Sequence, residues 1–464
     1  MSEDCVQCVS PVDGSIYAER PLCSEAAIGE ALQRATRAQE AWRRFTVEER
    51  AVFCSAAVDA MLAMADEIVP ELAWQMGRPV RYGGGELRGF EERARYMIDV
   101  AGDALQKIEA KPLDGFKRYI CREPLGTVFV IAPWNYPFLT AVNSVIPALM
   151  AGNAVILKHS SQTPLVGERF QHAFEEADLP DGLFQNLNLS HSQAKQIIES
   201  GEIQQLNFTG SVSGGRAMEE AATGMFIGIG LELGGKDPAY VRADCDLNLA
   251  IESLADGAFF NSGQSCCGVE RIYVDSALFD EFVKGVADLA AKYQLGNPLE
   301  ESTTLGPMIN PESADWVRGQ IDQALQAGAR THVDSGKFSL DKKGAAYMAP
   351  QILTGVDHNM SIMTKESFGP VVGIMKVEDD AEAINLMNDS VYGLSASIWT
   401  REEQAAEQIG SELDTGTVYM NRCDYLDPAL AWTGVKNTGR GATLSRVGYE
   451  TLTRPKSFHF RLST

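Results

Sequence analysis

The chain has 464 residues, a formal charge of −23 and 45% hydrophobic residues. That length and apolar content provide for a sizeable core, divided between two or three structural units. The acidic balance argues against a nucleic-acid partner or an anionic membrane surface, whose phosphates would repel it.

The opening segment MSEDCVQCVSPVDG has no basic stretch followed by an apolar one, so a secretory signal is not expected. Cys5 and Cys8 form a lone CVQC. Zinc needs about four ligands, no second pair follows, and no strand precedes the motif as in a redox site. Free thiols and no metal are expected. The nine cysteines then read as reduced thiols of a cytoplasmic protein.

Residues 24–105 place apolar side chains at helical spacing, as in AAIGEALQRATRAQEAWRRF and EERAVFCSAAVDAMLAMADEIV. From about residue 106 the pattern changes. TVFVIA (127–132), AVILK (154–158), QQLNF (204–208) and FIGIGL (226–231) read as short buried strands, separated by helical segments such as PLVGERFQHAFEEA. This alternation predicts a parallel sheet covered on both faces. The apolar region 126–158 is broken by PWNYP, Asn143 and GN, and reads as core rather than a membrane span. A second set follows: RIYVD, a helix from about 277, GIMKV, SASIWT and TVYMN. The tail TRPKSFHFRLST is strand-like and offers an edge to another chain.

Four stretches carry candidate chemistry. A dinucleotide fold would show GxGxxG after a strand; GGGELRG (83–89) and GIGLELGG (228–235) have the wrong spacing. Instead Asn207-Phe208-Thr209-Gly210-Ser211-Val212-Ser213-Gly214-Gly215 follows a strand and opens a helix. Its N–H groups suit an anion, although an ordinary strand-to-helix turn explains it equally well. In Ile131-Ala132-Pro133-Trp134-Asn135-Tyr136-Pro137 two prolines fix the loop. Asn135 there is either an oxyanion donor or a helix cap, and spacing alone favours the cap. Leu231-Glu232-Leu233-Gly234-Gly235-Lys236 puts a carboxylate at the end of an apolar strand. It is either a base of raised pKa or a lysine's ion-pair partner. FFNSGQSCCG (259–268) holds Cys266 and Cys267 with no histidine near in sequence. A working thiol needs a helix N-terminus, a cation or a base; a buried structural cysteine is the usual alternative.

Taken together, IAPWNYP, LNFTGS, LELGGK, FFNSGQSCCG and KESFGPV, in that order, resemble the aldehyde dehydrogenase superfamily over about residues 20–464. The resemblance implies an α/β fold with a Rossmann-type cofactor domain (1–105 and 126–233), an α/β catalytic domain (234–446) and a small β-bridging oligomerisation element (106–125 and 447–464). It implies a homodimer or a dimer-based homotetramer, a small-molecule aldehyde substrate and NAD or NADP as cofactor. Cys266 would be the nucleophile. Asn135 and the Cys266 N–H would hold the oxyanion, and Glu232 would activate water against the thioester. Lys158 would reach the adenosine ribose, and Gly210, Ser211 and Gly215 would lie along the pyrophosphate turn. Trp134 would line the pocket, Glu366 would hold the nicotinamide ribose, and Phe368 would pack near the ring.

Two departures from the family pattern carry expectations. Ser161 stands where NAD-preferring members often have Glu, which removes a repulsion against a 2′-phosphate, so NADP acceptance is expected. Ala431-Trp432-Thr433-Gly434-Val435-Lys436-Asn437-Thr438-Gly439-Arg440 replaces the usual Pro-aromatic-Gly-Gly segment, so the substrate-entry loop is unusual. The resemblance places Tyr136, Leu139, Thr140, Asn143, Ser265, Cys267 and the 423–432 loop around the substrate. Succinate-semialdehyde members tend to have Arg where Asn143 stands. A neutral aliphatic or aromatic aldehyde is therefore expected first and a semialdehyde second, with Arg422 as the candidate substitute cation. A CoA-acylating relative is disfavoured by Glu232, and a non-catalytic binding protein by the joint presence of Asn135, Glu232, Cys266 and Glu366.

Overall fold

The computed structural model describes residues 5–462. Strands β1 (Cys5–Val9) and β2 (Ile16–Pro21) form an antiparallel hairpin. The CVQC pair therefore lies within a strand, and no disulfide joins cysteines among the described residues. Four helices follow: α1 (Glu25–Trp42), α2 (Val47–Ala63), α3 (Ala65–Met76) and α4 (Val80–Ala104). Their starts are written locally. Ser24 accepts from the Ala27 N–H, and Thr46 with Glu49 forms a reciprocal capping box.

After β3 (Ile108–Glu109) and β4 (Phe116–Pro124), the chain alternates strand and helix. The elements are β5 (Thr127–Ala132), α5 (Pro137–Met150), β6 (Ala154–His159), α6 (Pro164–Glu176), β7 (Phe184–Asn186), α7 (His191–Glu199), β8 (Gln205–Thr209), α8 (Val212–Ala221) and β9 (Gly228–Glu232). The last strand begins later than FIGIGL suggested, because Phe226 has φ 51° and points into solvent. The strands lie parallel in the order β9-β8-β5-β6-β7. That is the doubly wound arrangement with its switch point between β5 and β8, where ligands bind in such sheets.

A second sheet follows from β10 (Asp237–Val241), α9 (Leu247–Phe259), β11 (Val269–Asp275), α10 (Phe279–Ala290), α11 (Pro311–Gln326), β12 (Arg330–Thr331), β13 (Gln351–Thr354), α12 (Ser361–Thr364), β14 (Val371–Val377), α13 (Asp380–Asn388), β15 (Tyr392–Gly393), β16 (Ser395–Trp399), α14 (Glu403–Glu412) and β17 (Thr417–Met420). Its order is β12-β13-β14-β11-β10-β16-β17, parallel except at β12. β18 (Val435–Lys436) pairs with β15, and β19 (Gly439–Arg440) returns to pair antiparallel with β9. Separate apolar cores pack around the two sheets.

The tail forms β20 (Thr453–Arg461), antiparallel to β4, with β3 on the far side of β4. The strand expected to meet another chain thus spends one edge within its own chain. Its other edge has no strand beside it among the described residues. No helix among them is long and apolar enough to cross a membrane, and no group of three or more His, Cys, Asp or Glu side chains there forms a metal cluster.

Candidate active site

The two halves of the switch point and the second sheet converge on Cys266. The loop after β5 carries Pro133, Trp134 and Asn135; the turn after β8 carries Gly210 and Ser211; β9 ends in Glu232. These residues, with Thr209, Leu233, Gly234, Glu366, Phe368 and Cys266, line a cavity of about 270 Å³. A second cavity of about 400 Å³ is lined by Tyr136, Leu139, Thr140, Asn143, Ser265, Cys267 and the 424–426 segment, among others. The two share Thr209, Glu232 and Cys266.

The segment before Cys266 explains its unusual composition. Asn261 and Ser262 adopt left-handed backbone (φ 53° and 55°), which L-residues hold only when their surroundings impose it. The anchors are polar. Asn261 Nδ2 donates to the Asn135 and Gln264 carbonyls, each at 3.2 Å. Ser262 Oγ donates to the Gly306 carbonyl at 2.8 Å, and Gln264 Oε1 accepts from the Ile309 N–H at 2.8 Å. Gly263 also needs its missing side chain, since a Cβ would stand 2.1 Å from the Gly369 carbonyl oxygen.

Asn135 is 4% exposed, and one amide N–H goes to the Gln264 carbonyl at 3.2 Å, leaving the other available. Its own carbonyl accepts from Arg78 Nη2 at 2.7 Å. Arg78 forms a fully buried ion pair with Glu86. Glu86 in turn accepts the Phe138 and Leu139 N–H groups (3.0 and 3.2 Å), which satisfies the first turn of α5. Neither Arg78 nor Glu86 was singled out from sequence.

Glu232 accepts from Thr209 Oγ1 at 3.1 Å and Thr443 Oγ1 at 2.5 Å. Enclosure by protein raises its pKa, while the two threonines and Arg93 pull the other way. The lysine alternative fails here, because Lys236 pairs with Glu270 instead. Cys267 is buried. Its thiol donates to Asp424 Oδ1 at 2.9 Å, and Ser265 Oγ donates to the same oxygen at 2.8 Å. The Cys266 side chain beside it, burial and the Asp424 charge push the Cys267 thiol well up. Asp424 itself is pushed up by burial to about 6.

Among the cofactor candidates, Glu366 accepts the Gly235 N–H at 3.0 Å and is pushed by burial to about 7. Phe368 meets Trp134 edge to face, with centroids 5.6 Å apart. Ser211 caps α8 by accepting from the Gly214 N–H at 3.1 Å. Gly215 sits on α8 against Leu233, where a Cβ would be 2.5 Å from Leu233 Cδ2, so its place is helix-to-strand packing. Lys158, at the end of β6, is buried and pulled down to about 8 by desolvation. Ser161 is exposed just before α6. Lys158, Ser161 and Gly215 line neither cavity. His159 is packed between the Pro137 carbonyl and Thr163, with burial lowering it to about 4. Arg422 stacks on the Tyr425 ring at 3.4 Å and does not line the substrate cavity.

The unusual 431–440 segment has a structural purpose. Trp432 pairs with Thr443 backbone to backbone, and Thr438 bonds both Leu233 and Gly234. The segment thereby brings Thr443 onto Glu232. No motif in the sequence announced that contact.

A doubly wound sheet whose switch point faces a half-buried cysteine and carboxylate has the arrangement of a nucleotide-dependent enzyme. Comparison with known proteins then names the class: residues 1–458 match the model of the aldehyde dehydrogenase family, and the chain belongs to that family of NAD(P)-dependent enzymes. It is 33% identical over 455 residues to 3,6-anhydro-alpha-L-galactose dehydrogenase of Streptomyces coelicolor, covering 98% of this chain and 92% of that one. Among solved structures it is similar to an NAD-dependent aldehyde dehydrogenase from Sinorhizobium meliloti (TM-score 0.95, 30% identity, covering 100% and 92% of the two chains). It is likewise similar to succinic semialdehyde dehydrogenase from Streptococcus pyogenes in complex with NADP+ (TM-score 0.93, 26% identity, covering 98% and 100%).

Proposed function

We propose that the protein oxidises an aldehyde to a carboxylic acid through a thioester on Cys266. The observation that carries this reading is the sharing of Cys266 and Glu232 by two cavities. A substrate in the larger one and a nicotinamide in the smaller one meet at the thiol. The Cys266 thiol gives its proton by way of Glu232 to solvent and attacks the aldehyde carbon, and the free N–H of Asn135 with the Cys266 backbone N–H takes up the oxyanion. NAD or NADP, when bound, supplies the acceptor for the hydride. Glu232, its pKa raised by enclosure, then takes a proton from water as that water attacks the thioester and releases the acid.

The smaller cavity suits the cofactor's polar and aromatic parts. It is bounded by Trp134 and Phe368, by the carboxyl of Glu366 for ribose hydroxyls, and by the α8 N-terminus at Gly210–Ser211 for phosphate. Gly234 leaves room there, since a Cβ would lie 2.4 Å from Glu366 Oε2. An exposed serine at 161, three positions after Lys158, supports acceptance of NADP as well as NAD. The open edge of β20 supports a homodimer or a dimer-based homotetramer, which light scattering of the purified protein would read.

The substrate order shifts from that expected of the sequence. From sequence a neutral aldehyde ranks first because no cation stands at position 143; the cavity nevertheless has two, Arg88 and Arg93, both from α4. The test of the reaction is a panel of neutral and carboxylate-bearing aldehydes with NAD and with NADP, following reduced nicotinamide by absorbance. Turnover that disappears in Cys266→Ala supports the reading, and absence of turnover on every aldehyde refutes it.

A further inference from the structure

The larger cavity has a charged wall that the reaction above does not use. Helix α4 presents Gly85, Arg88, Gly89, Glu92 and Arg93 to it, a single helical stripe. The helix can lie this close because position 89 has no side chain; a Cβ there would stand 2.5 Å from Leu139 Cδ2. Arg93 is the deep member, 8% exposed. Its Nη1 donates to the Leu139 carbonyl at 2.8 Å and to Asn143 Oδ1 at 3.4 Å. Among the described residues its Nε and Nη2 have no protein acceptor.

The carboxylates nearest Arg93 are already committed. Glu86 is taken by Arg78 and the first turn of α5, and Glu232 by Thr209 and Thr443. Burial pulls the Arg93 pKa down, but a guanidinium stays protonated, so its charge remains without a full partner. Asn143 adds the second observation. Because Arg93 engages the Oδ1 end of its amide, the Nδ2 end is the one left over. That Nδ2 is buried without any hydrogen-bond partner, on a residue 2% exposed that lines the cavity. An orphaned buried donor is rare because it is costly, and one beside a guanidinium without a full partner describes a missing acceptor.

We infer that Arg93 and the Asn143 amide form an anion-recognition subsite that holds a carboxylate carried by the aldehyde substrate. A carboxylate offers two acceptor oxygens to a guanidinium fork and an amide N–H, and pairing makes its burial tolerable. Exposed Arg88 adds positive charge on the same wall. Among the acidic groups of the cavity, burial raises both Asp256 and Asp424, which favours their neutral forms, and exposed Glu92 is turned to the Tyr425 hydroxyl at 2.8 Å. The amide thus comes from α5 and the cation from α4.

The inference rests on the proposed aldehyde oxidation and is tested on the full-length protein in two ways. The first compares kcat/KM for a carboxylate-bearing aldehyde and a neutral aldehyde of equal chain length. The wild type should prefer the former, and Arg93→Gln should lower that ratio roughly 10- to 100-fold, mostly through KM. Arg93→Lys should restore part of it. A wild type without the preference, or a ratio unchanged in Arg93→Gln, overturns the subsite. The second measurement does not need turnover: succinate should slow alkylation of Cys266 by iodoacetamide in the wild type and in Arg93→Lys, but not in Arg93→Gln. Protection without turnover on any aldehyde supports the subsite while refuting the oxidation. Absence of protection in the wild type overturns the subsite even where turnover is intact.

Discussion

Thr443 Oγ1 donates to Glu232 Oε1 at 2.5 Å, joining two residues 211 positions apart. The bond favours the ionised carboxylate, against the burial that raises its pKa. The proposed deacylation uses Glu232 as a base in its unprotonated form, so turnover should rise as pH climbs through its raised pKa. Thr443→Val removes a donor from the charged form and lifts that pKa further. The acidic limb of the kcat profile should therefore move to higher pH, with the alkaline side little changed. A limb that stays put, or moves to lower pH, would show that Thr443 does not act on the base.

The two adjacent cysteines should separate cleanly. Cys267 is buried with its thiol committed to Asp424, whereas Cys266 faces both cavities. Peptide mapping after limited iodoacetamide treatment should find the label on Cys266. Cys266→Ala should abolish turnover. Cys267→Ser, which keeps a donor for Asp424, should retain most of it. Labelling of Cys267 first would reverse the assignment.

Ser161 should govern the cofactor ratio. In Ser161→Glu a carboxylate would face a 2′-phosphate, and the like-charge contact should cut kcat/KM for NADP by about tenfold or more while sparing NAD. Steady-state kinetics with both cofactors check this. A wild type that uses NADP at under about a tenth of its NAD efficiency would show that Ser161 does not admit the phosphate.

The Arg78–Glu86 pair should matter to the fold as well as to the site. Both side chains are almost wholly buried, and Arg78 also holds the Asn135 carbonyl. Glu86→Leu leaves that guanidinium uncompensated and should cost about 3–5 kcal/mol. A clear fall in thermal midpoint by calorimetry is expected, and an unchanged midpoint would contradict it.

The motifs that chemistry confines to short segments could be read directly. TVFVIA is a strand at 127–132 because a fully buried parallel strand is apolar along nearly its whole length, here from Val128 onward. The turn after QQLNF opens a helix because Ser211 caps it. What escaped reading depends on distant packing. Arg93 looks like any charged residue of a helix until α5 covers it, and Thr443 becomes a ligand of Glu232 only through the return of β19 to β9. The hairpin at residues 5–21 carries no strong alternation, since Ile16 and Val9 are exposed. Asp424 lies in the 423–432 loop expected near the substrate, but its bond to Cys267 could not be read from a sequence separation of 157 residues.

The central claim is that Cys266 carries the acyl group and Glu232 releases it. The most direct measurement is a rapid-mixing experiment on Glu232→Gln with a reactive aldehyde and cofactor, followed by mass spectrometry of the quenched protein. The account predicts a burst of reduced nicotinamide of about one per active site, little turnover afterwards, and an acyl mass increment on the peptide bearing Cys266. Full steady-state turnover in Glu232→Gln, or an acyl increment that persists in Cys266→Ala, would contradict it.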